Sequence, residues 1–213
     1  MKNLTIILLY FFSTASYAQI NIVEEIVSPG VVHKKIINTI DTLTIDVLKI
    51  DLSKGKYYLR SVKAKNLLNE RETTSDMSNA LSDTGYEVIA AINADFFEKD
   101  GEIISNMISE GKFVKAVKFT DSPINSFVNS QFAVTYDNKL FLEQFVFSGN
   151  LILPDGTIEE IRRINSKADS NSITLYNSFQ GVYNPIVPEN WRVFETTLFP
   201  IGESGDTTFF IID

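Results

Sequence analysis

Apolar residues run along this chain in two patterns, one continuous and one alternating, and both predict strands. Val88-Ile89-Ala90-Ala91-Ile92 is uninterrupted and shorter than a typical helix, which predicts a strand buried on both faces. Val31-Val32 begins a strand-like segment after Pro29-Gly30, and Asp41 to Leu52 is a stronger one. There Leu43, Ile45 and Val47 occupy odd positions, whereas Leu48, Ile50 and Leu52 occupy even ones. A phase slip of one residue is what a β-bulge produces, so this stretch is expected to be one bent strand. Ser53 to Lys56 then predicts a turn, with Tyr57 to Ala64 returning as the partner strand.

One helix interrupts the strands. Thr74-Ser75-Asp76 offers capping oxygens ahead of Met77, Ala80 and Leu81, whose spacing makes a short apolar stripe, and Gly85 suits a left-handed terminator. Beyond Gly101 the pattern returns to strands. Ile103-Ile104 and Met107-Ile108 lead to a Glu110-Gly111 hairpin turn, and Phe113 to Phe119 places Phe113, Val117 and Phe119 on one face. Phe132, Val134 and Tyr136 alternate, Asp137-Asn138 turns the chain, and Leu140 to Phe147 returns it. Pro154-Asp155-Gly156 is a turn between Leu151-Ile152-Leu153 and Thr157-Ile158. Ile158, Ile161 and Ile164 recur every third residue, a spacing that on periodicity alone suggests a short helix. Asp206 to Asp213 is again strand-like. The expected class is α+β: a strand-dominated mixed or antiparallel sheet with few helices.

The amino terminus stands apart. Lys2, the apolar run Leu4 to Phe12 and the small-x-small site Ser16-Tyr17-Ala18 form the pattern of a secretory signal peptide over residues 1–18. The run is too short to span a bilayer, and no later segment is apolar enough to do so. The mature chain is then expected to begin at Gln19, to be exported to a periplasmic or extracellular setting, and to have no integral membrane segment. With no cysteine among 213 residues it carries no disulfide framework and no thiolate chemistry. Loss of Lys2 leaves 18 basic residues against 27 acidic ones, a net charge of −9, which argues against a nucleic acid partner. His33 is the single histidine, so multi-histidine metal centres are excluded; the residues name no cofactor and no metal. A solvated side chain is its expected fate.

Candidate chemistry collects where the apolar run Val88 to Ile92 stops. Asn93 and Asp95 are separated by one small residue, so a strand continuing through them would point both side chains the same way. Phe96 and Phe97 follow, and Asp100-Gly101 supplies a turn. Polar groups at a strand end beside aromatics suit a ligand site, although Asn and Asp after a strand also serve Asx-turns and the phenylalanines also serve cores.

Asn93-Ala94-Asp95-Phe96-Phe97, followed by Asp100-Gly101 and by Ser109-Glu110-Gly111-Lys112, resembles the signature of the phosphodiester glycosidase family. That family includes the mannose 6-phosphate uncovering enzyme domain and bacterial exopolysaccharide-related proteins. The Pro29-Gly30-Val31 opening, the strand ending in Asp51-Leu52 and the Thr73-Thr74-Ser75 helix start are similar to it, and the resemblance favours a strand over Ile158 to Ile164. Ser172 to Gly181 is a second family-like block, approached through Asn165, but Asn177-Ser178 departs from the pattern after Leu175-Tyr176. Residues 19–213 are thus expected to form the glycosidase-like domain. Later family motifs are absent, which implies an amino-terminal portion with the carboxy-terminal part missing and with little activity alone.

The resemblance implies hydrolysis of a sugar-1-phosphodiester in a glycan or polysaccharide, a glycan or sugar-phosphate being the partner. Asp95 is the candidate catalytic carboxylate or a metal ligand, and Asn93, Phe97 and Asn177 are candidate substrate contacts. Phosphate is a weakly basic leaving group, so cationic or N–H donors matter more than a strong general acid. Arg60, Arg162, Arg163 and Arg192 are the possible phosphate partners. Asn177 equally suits an exposed strand end, and Trp191 equally suits a sugar face or a core edge. A noncatalytic glycan-binding module and a structural or adhesion domain are the rival readings.

Overall fold

The structure is a computed structural model, and it describes residues 20–54, 57–118, 124, 130–182 and 187–212. The expected signal peptide, the Gly55-Lys56 half of the expected turn, Phe119 and Asp213 lie outside the described residues. The chain gathers into two compact units. One contains the described residues of Met1–Leu59 with Ser78–Ile92 and Thr135–Lys139; the other contains the described residues of Arg60–Met77, Asn93–Val134 and Leu140–Asp213.

In the first unit β1 (Ile20–Ser28), β2 (Val31–Asn38) and β3 (Leu43–Ile50) form an antiparallel meander in that order. Pro29-Gly30 turns β1 into β2, with Gly30 at φ +82°. Asn38 turns β2 into β3: its Oδ1 accepts from Ile40 N at 3.1 Å, and its Nδ2 donates to Asp41 Oδ2 at 2.7 Å. The β2 to β3 register runs without interruption from Val31 opposite Ile50 to Asn38 opposite Leu43. The expected bulge at Val47-Leu48 is therefore not formed. Leu43, Ile45 and Val47 share the face of Ile36 and Ile22, while Leu48 and Ile50 lie on the other, so apolar residues on both faces imitate a phase slip. The irregularity falls instead between Ile26 and Ser28 of β1.

Tyr57 to Ala64 does not return as the partner of β3, which pairs with β2. A four-residue connection brings β2 and β3 together at less loop-closure cost than a later segment would pay. Tyr57 instead donates its hydroxyl to Pro29 O at 2.5 Å.

Residues 88–92 correct a second expectation: they form no strand, and Ala90, Ala91 and Ile92 are exposed, Ile92 at 73%. A continuous apolar run records a preference for burial, but a strand needs a ladder partner, and among the described residues none pairs with it.

The helix α1 (Thr74–Ser82) is where the pattern placed it. Thr73 caps it, one residue earlier than expected: its Oγ1 accepts from Asp76 N at 3.1 Å and donates to Asp76 Oδ2 at 2.7 Å. Gly85, at φ +95°, closes the other end by donating to Ser82 O at 3.0 Å.

The second unit is built from hairpins. β4 (Met107–Ser109) and β5 (Lys112–Lys115) flank Glu110-Gly111, whose φ of +51° and +74° make a type I′ turn. β6 (Ser130–Val134) and β7 (Leu140–Gln144) pair antiparallel. β8 (Gly149–Ile152) pairs antiparallel with β9 (Ile158–Ile164), and β10 (Ile173–Leu175) pairs with β9 in parallel, giving a mixed sheet. Ile158 to Ile164 is therefore a strand despite its spacing of three. β11 (Leu198–Ser204) supplies the partner that β12 (Thr207–Ile212) needs. Leu68, Ile103 and Val114 form the core, with Met107 and Phe179 packed against it. Ala116 and Ile164 exchange backbone hydrogen bonds at 3.0 and 2.8 Å, tying β5 to β9. The fold is a strand-dominated α+β arrangement. Among the described residues no helix is long and apolar enough to cross a membrane.

Candidate functional site

The Asn93 to Ile104 segment folds as a small hairpin of the second unit. Glu98 N donates to Glu102 O at 2.8 Å, Gly101 N to Glu98 O at 2.9 Å and Ile104 N to Phe96 O at 3.1 Å, while Phe97 bridges Ile103. Asp100 fixes its tip: Oδ1 accepts from Glu102 N at 3.0 Å and Oδ2 from Asn69 Nδ2 at 2.7 Å. Gly101 is required there, since its φ is +95° and a Cβ would stand 2.6 Å from Glu70 O. The turn signal thus seats the hairpin against the segment that carries Asn69 and Glu70.

Asn93 and Asp95 stand at the root of this hairpin. Asn93 Oδ1 accepts from Thr74 Oγ1 at 2.7 Å, which ties it to the first residue of α1. Asp95 Oδ1 accepts from the N–H of Phe96 at 2.7 Å, a local bond of the kind that Asp makes at strand ends. Although the residue as a whole is exposed, enough protein surrounds its carboxyl for desolvation to raise its pKa above the ordinary value of 3.8. The Phe96 N–H and the Lys115 ammonium act in the opposite direction. Phe96 and Phe97 are 82% and 55% exposed, so they are surface aromatics rather than core.

Three residues shape this region: Lys115 and Lys63, which the sequence did not single out, and Asn165, which it named only as the approach to the second family-like block. Lys115 is only 1% exposed and donates to Glu102 Oε1 at 2.7 Å and to Ile103 O at 2.6 Å. Its signal was its odd position between Phe113 and Val117, a lysine on an apolar face. Lys63, also buried, donates to Glu70 O at 2.5 Å; desolvation lowers its pKa below 10.5, against the pull of Glu70, Asp100 and Glu72. Asn165 is 0% exposed and sits at φ +49°. Its Nδ2 donates to Val114 O at 2.8 Å and to Asn177 Oδ1 at 2.6 Å, and its Oδ1 accepts from Asn177 N at 2.9 Å.

Asn177, half-buried, completes this network. Its Nδ2 donates to Phe113 O at 2.8 Å, and its Oδ1 also accepts from Phe179 N at 3.0 Å, capping the short 3-10 turn Ser178–Gln180. Both oxygen lone pairs are therefore used within the chain. Asn177 and Asp95 are both linked to β5, the first through Phe113 O and the second through the charge of Lys115.

Most of the candidate phosphate-binding arginines are engaged with carboxylates. Arg60 Nε lies 2.6 Å from Glu110 Oε1, Arg162 Nε 3.3 Å from Glu160 Oε2 and Arg163 Nε 2.8 Å from Asp169 Oδ2. Arg192 is exposed, and Trp191 is half-buried. His33 faces Asp46 across β2 and β3 at 2.8 Å. Among the described residues no group of three or more His, Cys, Asp or Glu side chains is placed to hold a metal ion. Comparison of the chain with protein-family models, curated proteins and solved structures finds no match.

Proposed function

We propose that this protein is an exported phosphodiester glycosidase that hydrolyses a sugar joined through its anomeric carbon to a phosphodiester. The observation that supports the reading best is the Asp95 carboxyl, desolvated at the root of a pinned hairpin and followed by two exposed phenylalanines. In the reaction water adds to the anomeric carbon, the bond from that carbon to the phosphate oxygen breaks, and a phosphomonoester leaves with a free sugar. Asp95 serves as the carboxylate that accepts the proton of the attacking water or stabilises the oxocarbenium-like centre. Desolvation suits it to the first task, because a carboxylate of raised pKa is a better proton acceptor. Asn93, whose oxygen is held by Thr74, presents its amide N–H groups to a sugar hydroxyl. Phe97 offers a sugar face, and Asn177 is the remaining candidate contact, with one amide hydrogen committed to Phe113 O.

The test is Asp95→Asn in protein expressed from its full reading frame and recovered from the exported fraction of its host, where the mature chain should begin at Gln19. Cleavage of a sugar-1-phosphodiester should fall at least about 100-fold while the variant folds normally, as removal of a general base or acid does. Unchanged turnover at unchanged stability would reduce Asp95 to a turn residue. Glycan binding without cleavage by the unsubstituted protein would establish the noncatalytic module instead.

A further inference from the structure

A lysine buried to 1% exposure is an unusual resident of an apolar face, because desolvating an ammonium costs several kcal/mol unless it is paired and fully bonded. Lys115 is both. Its ammonium reaches Glu102 Oε1 at 2.7 Å and Ile103 O at 2.6 Å, so two of its bonds end on the returning arm of the hairpin. That arm is the one that carries Ile103, bridged to Phe97, and Ile104, whose N–H is bonded to Phe96 O. The outgoing arm begins at Asp95. Lys115 itself is the last residue of β5, between Val114 and Ala116, both of which are fully buried. The clamp therefore joins the hairpin that carries Asp95 to the most deeply buried strand of its unit.

We infer that Lys115 is a positioning residue for Asp95: through Glu102 and Ile103 O it holds on β5 the hairpin whose root is Asp95. The charged groups concerned are few. Lys115 is the cation that acts on Asp95, and its ammonium is paired with Glu102, which is partly exposed. The inference rests on Asp95 being the working carboxylate, but it is measurable without any hydrolysis.

The experiment is a 13C NMR pH titration of the Asp95 carboxyl in the whole chain, assigned with Asp95→Asn, in the unsubstituted protein and in Lys115→Met and Glu102→Gln. Lys115→Met replaces a buried cation by an apolar chain of similar length, a kind of exchange that folded proteins often accept. Its Asp95 midpoint should rise, since a stabilising cation is lost. In Glu102→Gln the midpoint should fall, since Lys115 is then no longer paired with a carboxylate. Opposite displacements are what a charge-holding clamp produces and what a merely structural lysine does not. Midpoints that coincide in all three proteins would overturn the inference. Should Lys115→Met fail to fold, Glu102→Gln decides alone: a lowered midpoint supports the clamp, and an unmoved one ends it. Opposite displacements in a protein without hydrolytic activity would leave the clamp standing and remove the enzymatic reading instead.

Discussion

Replacing Asn165 tests the architecture most directly, because one side chain there makes three hydrogen bonds from a fully buried site. Asn165→Ala removes the donors to Val114 O and Asn177 Oδ1 and the acceptor for Asn177 N. At about 1 kcal/mol for each net hydrogen bond, the loss is roughly 3 kcal/mol. The backbone adds to this. Asn165 sits at φ +49°, a left-handed conformation that costs an alanine about 1 kcal/mol more than it costs a glycine. Asn165→Ala is therefore expected to lose about 4 kcal/mol and Asn165→Gly about 3 kcal/mol. Urea unfolding followed by Trp191 fluorescence and by far-ultraviolet circular dichroism measures both, provided the slopes against urea match that of the parent protein. A loss below about 0.5 kcal/mol for the alanine variant, the range of an ordinary surface substitution, would refute the reasoning. A glycine variant no better than the alanine variant would remove the backbone part of it.

Two further expectations concern stability. Gly101→Ala should lose about 2 to 3 kcal/mol by combining a left-handed φ with a Cβ 2.6 Å from Glu70 O, whereas Gly85→Ala, equally left-handed but with open space around it, should lose only about 1 kcal/mol. Equal losses in urea unfolding would mean that the hairpin tip is not pinned. Lys63 has a folded-state pKa below 10.5, so between that lowered value and 10.5 the unfolded chain binds more protons and stability rises with pH. Lys63→Met should flatten that alkaline rise, and identical stability profiles for parent and variant would contradict it.

What could be read from the sequence was local chemistry. Glu110-Gly111, Asp137-Asn138, Pro154-Asp155-Gly156 and the terminal Gly85 announce turns because their own side chains, or lack of one, decide the backbone. The hairpins around these turns and the helix beginning near Thr74 were accordingly visible. Pairing between distant segments was not. Val88 to Ile92 has the composition of a buried strand but, among the described residues, no ladder partner, and Tyr57 to Ala64 lost β3 to the nearer β2. The Val47-Leu48 step misled because alternation reports which faces are apolar, not whether the register slips. At the candidate site the sequence located the Asp100-Gly101 turn, but it placed Asn93 and Asp95 at the end of a strand rather than at the root of a hairpin. It could not show that a lysine 20 positions later supplies the charge that acts on Asp95, nor that Asn165 and Asn177 bond one another, since such meetings are set by the tertiary arrangement.

The bonds of β5 also impose an order on assembly. The first-unit meander joins neighbouring segments through short turns, so each strand finds its partner soon after it leaves the ribosome. The carbonyls of Phe113 and Val114 have no such convenience: their asparagine donors come 64 and 51 residues later. While the chain is being made, the most buried strand of the second unit spends that interval with these two acceptors still facing water, and its packing is completed only when Asn165 and then Asn177 arrive. Synthesis of the stretch that carries Asn165 and Asn177 is what closes the interior begun by the middle, which makes the polar pair a late lock on the apolar core it borders.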